Sequence, residues 1–393
     1  MKITEEKACL CALNRIFGFE PRYGIALTEH LGSAREVFGL SHKDLDTLMG
    51  PHSRHKGLIT YESVRKEEME LERLADSGIY FLGHTEEHYP ALLKECEDPP
   101  VGIYIRSDTP PHELWKRSQR RIAVVGTRDI SSYGKEWCSR IVGAIASTGA
   151  SPMIVSGLAL GTDICAHLTA LDKGLPTVGV MATGPETVYP QRHKSIAEMM
   201  AHTPGCALVT DYPPGTAPLA VHFLRRNRLI AGLSEATVLV ESRIKGGGMM
   251  TARLASSYSR DVYALPGRIE DPLSQGCNEL LRSRIAEPIT SLDEFIKGLG
   301  LHIRASGQKI SMHETAISRY SGKLPEEKIE QMGSILVAIR KERGITVEEL
   351  AEKTGLGYAR TAELTGILEL DSLITIDLLQ RCCINPQTLS ARE

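Results

Sequence analysis

Residues 122–134 read IAVVGTRDISSYG. The apolar run Ile122–Val125 enters Gly126-Thr127-Arg128, and a stretch with helical spacing follows, YGKEWCSRIVGAIASTG. A strand that is apolar throughout, rather than alternating, suits burial on both faces. The pattern returns at MIVSG, TVGVMATG, ALVTDY, ATVLVES and DVYALPG, at intervals of about 20 to 30 residues, with helical stretches such as TDICAHLTALDKG and MTARLASSYSR between them. Repeated βαβ units predict an α/β fold with a doubly wound parallel sheet, ending near residue 296.

Around that sheet the chain divides into four segments. Residues 1–75 show helical spacing in TEEKACLCALNRI, YGIALTEHLG, SAREVFG and SHKDLDTLMG, with Ser or Thr at N-cap positions. The sheet-bearing segment is 76–298; its first part, 76–118, reads as irregular and holds Pro99-Pro100 and Pro110-Pro111. Residues 299–328 read as a linker. Residues 329–393 begin with three helical stretches and a short apolar strand, ending near 376, which predicts a small winged-helix-like domain.

The composition, 42% apolar and 24% charged over 393 residues, is that of a folded soluble protein. The net charge of −3 gives no global sign of nucleic-acid binding, so any such function needs a local basic surface. Nine cysteines form no CxxC pair, which predicts reduced thiols in a cytoplasmic protein. No apolar run approaches the length needed to span a bilayer. No metal or cofactor is expected.

An open parallel sheet binds ligands beyond the carboxyl ends of its strands. Here those ends enter Gly126-Thr127-Arg128, Ser156-Gly157, Thr183-Gly184 and Lys245-Gly246-Gly247-Gly248. Glycine admits a ligand close to the backbone, and the following helix directs its unpaired N–H groups to the same place. Arg128 and Lys245 beside them suit phosphate, although glycine and serine also make ordinary βα turns. The order G-T-R-D-I-S is not the dinucleotide fingerprint G-x-G-x-x-G, and GxxxxGK[ST] is absent.

Residues 222–231 read HFLRRNRLIA. On a helix at about 100° per residue, Phe223, Leu224, Ile230 and Ala231 share an apolar arc, while His222, Arg225, Arg226 and Arg228 lie opposite. Such a basic face is either simply solvated or, beside a glycine-rich rim, a set of phosphate contacts. Asn227 falls inside the apolar arc, where it must find partners and is expected to pin a neighbouring loop backbone. Tyr189 and Arg192, after the third strand, either form an ordinary turn or grip an exposed nucleotide. His167 reads as a packed histidine, and Asp129, Asp163 and Asp211 as N-caps. No catalytic triad or paired-carboxylate spacing is present.

Taken in order, IAVVGTRDISSYG, VSGLALGTDICAHLTAL, VYPQRH, RNRLIAGLS, SEATVLVES, GGGMMTA, YALPG and GCNELL closely resemble the DNA-processing protein A family, also called DprA or Smf. The resemblance covers about residues 120–285. It implies an extended Rossmann-like fold, binding and protection of single-stranded DNA in natural transformation, loading of a RecA-type recombinase, and a homodimer formed through the later part of the Rossmann-like domain; it implies no enzyme. It also implies that Arg128, Ser156-Gly157, Asn227-Arg228 and Gly246–Gly248 line the DNA pocket. The chain departs from the family pattern at Leu160, Leu224, His193 and Ser259, and Gly246-Gly247-Gly248 stands where members carry Ser-Gly-Ser, making those contacts backbone-only.

Two other readings compete. A nucleotide hydrolase of the lysine-decarboxylase-like type would carry PGGxGTxxE, and KGGGMMTARLA has no acid at that place. A transcriptional regulator would use the stretch GYARTAELTGILEL, whose single arginine, Arg360, sits among glutamates that oppose phosphate.

Overall fold

The computed structural model describes residues 3–116, 119–301, 312–342, 344–377 and 380–385. They form two compact units, Met1–Arg304 and Ala305–Glu393.

The first unit opens with five helices: α1 Glu5–Ile16, α2 Pro21–Leu31, α3 Ala34–Phe38, α4 His42–Met49 and α5 Tyr61–Ala75. All but α2 begin at a Ser or Thr whose side chain accepts a hydrogen bond from the first turn: Thr4, Ser33, Ser41 and Thr60. Their core residues, among them Leu10, Leu13, Phe17 and Leu74, join Phe81, Val101 and Tyr104 in one cluster. The helical segment therefore shares its core with the sheet edge.

The elements that follow are β1 Ile79–Gly83, α6 Ala91–Lys94, β2 Gly102–Arg106, α7 Pro111–Leu114, β3 Arg121–Val125, α8 Ser132–Ala146, β4 Met153–Gly157, α9 Thr162–Asp172, β5 Thr177–Val180, α10 Lys194–His202, β6 Ala207–Thr210, α11 Ala220–Gly232, β7 Ala236–Leu239, α12 Gly247–Ser257, β8 Asp261–Ala264, α13 Gln275–Arg282, β9 Glu287–Pro288 and α14 Leu292–Gly298. The nine strands make one sheet in the order β1-β2-β6-β5-β4-β3-β7-β8-β9. It is parallel from β6 to β9, and β1 and β2 extend it antiparallel.

Those two added strands lie in 76–118, which the sequence presents as irregular. Ile103, Tyr104 and Ile105 are fully buried in β2, but prolines flank the strand and no βα spacing announces it. Val125, Val155 and Val180 pack with Leu229 and Ala252 on one face, whereas Ile122, Val124 and Ile154 pack with Ile141, Ile145 and Ala170 on the other. The sheet is thus covered by helices on both sides, as continuous apolar strands require.

From β3 the chain winds outward through β4, β5 and β6, then returns to β7 and winds the other way. The order reverses between β3 and β7, and their carboxyl ends open a crevice there.

The second unit contains α15 Met312–Tyr320, α16 Glu326–Lys341, β10 Ile345–Thr346, α17 Val347–Thr354, α18 Tyr358–Leu370, β11 Ile374–Ile376 and β12 Arg381–Ile384. Its sheet is antiparallel with order β10-β12-β11. The segment 299–328 thus carries a helix where a linker is expected, and its residues 302–311 lie outside the described residues. No described helix is long and apolar enough to cross a membrane.

Candidate nucleic-acid interface

A pocket of about 670 Å³ occupies the crevice between β3 and β7. The loop after β3 supplies Gly126, Thr127 and Arg128; the loop after β7 supplies Ser242, Arg243, Lys245, Gly246, Gly247 and Gly248. Asp163 from α9, Phe223, Arg226 and Asn227 from α11, and Tyr189 add the other charged, amide and aromatic side chains of the lining.

The glycines serve two different needs. A Cβ on Gly126 would meet Thr162 Oγ1 at 2.4 Å and the Glu241 carbonyl at 2.8 Å, and one on Gly248 would stand 3.0 Å from Gly126 Cα. These two glycines let β3 and α12 come together. A Cβ on Gly247 would meet nothing within 4 Å, so that position faces open space. Gly246 is the N-cap of α12 and offers no side-chain cap, which leaves first-turn N–H groups for an anion. Asn227 reaches back to this turn, with Nδ2 3.5 Å from the Gly247 carbonyl. Buried Glu241 accepts from the Ser131 backbone N–H at 2.9 Å and from its hydroxyl at 2.5 Å, tying the loop after β3 to the end of β7.

The arginines of α11 form neither a solvated basic face nor, Arg226 apart, part of the pocket lining where phosphate contacts were expected. Arg226 and Arg228 are buried, whereas Val221 and Leu224 on the same helix are about half exposed. Arg228 pairs with Asp211 and lies 3.7 Å from Asp98, with a further hydrogen bond to the Asp98 carbonyl. Arg225 sits 3.7 Å from Asp211, its guanidinium 4.8 Å from the ring centre of Phe19 and away from the pocket. Arg226 donates to the Val180 carbonyl and fits against Gly157, where any Cβ would strike the guanidinium at 2.4 Å. A helical wheel sends cations to water; here buried carboxylates and carbonyls compensate them instead. Asp163 and Asp211 accordingly act as arginine neighbours, while Ser131 and Gly161 occupy the N-cap positions of α8 and α9.

Arg226 is the one arginine of this helix that lines the pocket, and its Nε has no partner. Burial pushes its guanidinium down from its ordinary value, with Asp163 opposing the shift. Burial pushes the Asp163 carboxyl up, opposed mainly by Arg226. The floor of the pocket therefore holds a compensated buried pair, and its mouth holds the solvent-facing charge: Arg128, Arg243 and Lys245 are exposed, with no ion-pair partner among the described residues.

Of the residues singled out from sequence, the fold brings Gly126, Thr127, Arg128, Tyr189, Arg226, Asn227, Lys245, Gly246, Gly247 and Gly248 to this pocket. Ser156 is fully buried and donates to the Val124 carbonyl. Gly157 accommodates Arg226, and Arg192 is exposed outside the lining. Sequence reasoning missed Arg243, although it stands two positions before Lys245 in the same loop, and it placed Phe223 in an apolar arc. Phe223 instead meets Tyr189 at 5.3 Å between ring centres, and the Arg128 guanidinium lies over the Phe223 ring, 5.3 Å from its centre, forming an aromatic wall that carries a cation.

The family model described as DNA recombination-mediator protein A matches residues 80–300. Protein Smf of Escherichia coli is 36% identical over 218 residues, 55% of this chain and 56% of that protein, so the alignment spans little more than half of the relative. A putative DNA processing protein DprA of Mycobacterium tuberculosis is 30% identical over 350 residues, 89% of this chain and 82% of its own. The structure of DNA processing protein A from Streptococcus pneumoniae superposes with a TM-score of 0.62 at 27% identity, over 77% of this chain and 100% of that one. That of DNA processing protein A from Helicobacter pylori, described with a single-stranded DNA binding mode, gives 0.50 at 30% identity, over 57% and 97%. With its sheet, switch-point pocket and motif order all accounted for, this chain belongs to the DNA recombination-mediator protein A family.

Proposed function

We propose that the protein binds single-stranded DNA at the β3/β7 crevice and acts in DNA processing during natural transformation. The observation that carries this reading is the pocket mouth, where three exposed, unpaired cations flank the Tyr189–Phe223 wall and the glycine turn. Cations and backbone N–H groups suit the phosphates, and an aromatic face suits any base, so little sequence preference is expected. The Helicobacter pylori relative's single-stranded DNA binding supports the same ligand.

On this reading the protein protects incoming strands in the cytoplasm and hands them to a RecA-type recombinase. A homodimer is supported by the apolar surface beside the pocket, where Leu224, Ile244 and Met250 are exposed around a second groove. From α16 onward the C-terminal unit is read as a winged helix, by its order of helix, strand, two helices and two strands. Its Arg360 is held by Gln331 and Glu363, which favours a partner-binding role for that unit over groove contact.

The test is a fluorescence anisotropy titration with single- and double-stranded DNA of equal length. The single strand should bind more tightly, and Tyr189→Ala with Phe223→Ala should weaken it about tenfold, since a stacked base contributes roughly 1–3 kcal/mol. Preference for the duplex would refute the assignment.

A further inference from the structure

Away from the pocket mouth, two cysteines face each other between α8 and α9. Cys138 is fully buried, and its Sγ lies 3.9 Å from the carbonyl of Thr162, one turn before Cys165 on α9. Cys165 is partly exposed, and its Sγ lies 3.8 Å from both the Lys135 carbonyl and the Ser139 hydroxyl, residues that bracket Cys138 on α8. Each sulfur therefore rests on the turn that carries the other. All the described cysteines are free thiols.

We propose that Cys165 and Cys138 form a peroxide-reactive dithiol, a modification site at which a hydroperoxide converts the two thiols into an intrachain disulfide joining α8 to α9. The Cys165 thiolate attacks the outer oxygen of the hydroperoxide; an S–O bond forms, the O–O bond breaks, and water or alcohol leaves after protonation. Cys138 then attacks the sulfenyl sulfur; the S–S bond forms, the S–O bond breaks, and the Cys138 proton leaves with hydroxide as water. The peroxide gains the electron pair that the two sulfurs lose.

The surroundings divide the roles. The Cys138 thiol, with help from the Ser139 and Thr169 hydroxyls and the charge of Lys135, outweighs burial and holds Cys165 below the ordinary thiol range, which favours its thiolate. Cys138, without solvent access, is pushed well above the ordinary thiol range, first by the Cys165 thiolate and then by burial. The partly exposed Cys165 attacks peroxide and the buried Cys138 resolves it. Oxidation would also bear on the pocket floor, because α9 begins at Gly161-Thr162, where Thr162 N–H and hydroxyl both donate to the Thr127 carbonyl.

The inference stands on the α8–α9 contact and does not depend on the DNA-binding assignment. The test treats the reduced full-length protein with equimolar hydrogen peroxide, blocks remaining thiols with N-ethylmaleimide, and maps peptides by mass spectrometry. A Cys138–Cys165 linked peptide is expected. Cys165→Ser should abolish it, and Cys138→Ala should leave a dimedone-trappable sulfenic acid at Cys165. Recovery of Cys165 as its maleimide adduct at a dose that oxidises exposed Cys383, or its pairing with any other cysteine, would overturn the proposal. The wild-type map decides the question even if Cys138→Ala fails to fold.

Discussion

Replacing Arg228 with alanine should damage the fold before it damages binding. The guanidinium is 5% exposed and Asp211 is 4% exposed, so their pairing is shielded from solvent. Arg228 holds Asp211 through Oδ2, and the buried Oδ1 has no hydrogen-bond partner among the described residues. Removing the arginine leaves a buried carboxylate facing Arg225 only at 3.7 Å, and breaking such a buried pair costs about 3–5 kcal/mol. Trp115 and Trp137 are the only tryptophans and both lie in the first unit, so urea unfolding followed by their fluorescence reports on this unit alone. At a slope of roughly 1–3 kcal/mol per molar urea, the midpoint should fall by one molar or more. Arg228→Met combined with Asp211→Leu should recover part of the loss, because it removes the buried unpaired carboxylate, while Arg225 and Asp98 each lose a charged neighbour. A single-variant cost below about 1 kcal/mol, together with lost DNA affinity, would show that Arg228 serves the ligand directly and refute the reasoning.

Acid should weaken the fold through His167. Burial holds this histidine down at about 4 from an ordinary 6.5, with one ring nitrogen 2.7 Å from the Gly157 carbonyl and the other 2.7 Å from the Thr177 hydroxyl. The unfolded chain binds a proton in that interval and the native state does not, so stability is full above 6.5 and falls by about 3 kcal/mol as pH drops to about 4; His167→Gln should flatten that part of a urea-midpoint-against-pH curve, and an unchanged curve would contradict it. Gly126→Ala should destabilise the first unit by about 1–3 kcal/mol through overpacking, whereas Gly247→Ala should fold normally; equal urea midpoints for the two would refute the division of glycine roles. Asn227→Ala should lower single-strand affinity severalfold by freeing the Gly247 turn while leaving the dependence on salt intact, which titrations at several salt concentrations would show.

The parallel part of the sheet could be read from the sequence because strands buried on both faces are apolar throughout, and IAVVG, MIVSG and ATVLVES are all of this kind. The glycine loops followed from the same reading, since a doubly wound sheet puts its strand ends along one edge. Strands β1 and β2 escaped because antiparallel additions need no crossover helix and therefore leave no spacing. Helix α11 misled because its arginines find Asp98, Asp211 and the Val180 carbonyl, which lie outside the helix and are brought to it by the fold. Periodicity cannot announce such partners, and without them buried arginine is too unfavourable to expect. Phe223 and Arg243 enter the site for a related reason: the pocket is assembled at a reversal of strand order, which brings α11 and the loop after β7 together across sequence.

The most direct test of the account is the salt dependence of single-strand binding by the wild type and by an Arg128→Ala, Arg243→Ala, Lys245→Ala variant. Each lost phosphate contact should reduce the slope of log affinity against log salt by roughly 0.7, so the triple change should flatten it by about 2. The urea midpoint should remain that of the wild type, because all three side chains are exposed. An unaltered slope in a folded variant would place the strand elsewhere on the molecule and contradict the claim that the β3/β7 crevice holds it.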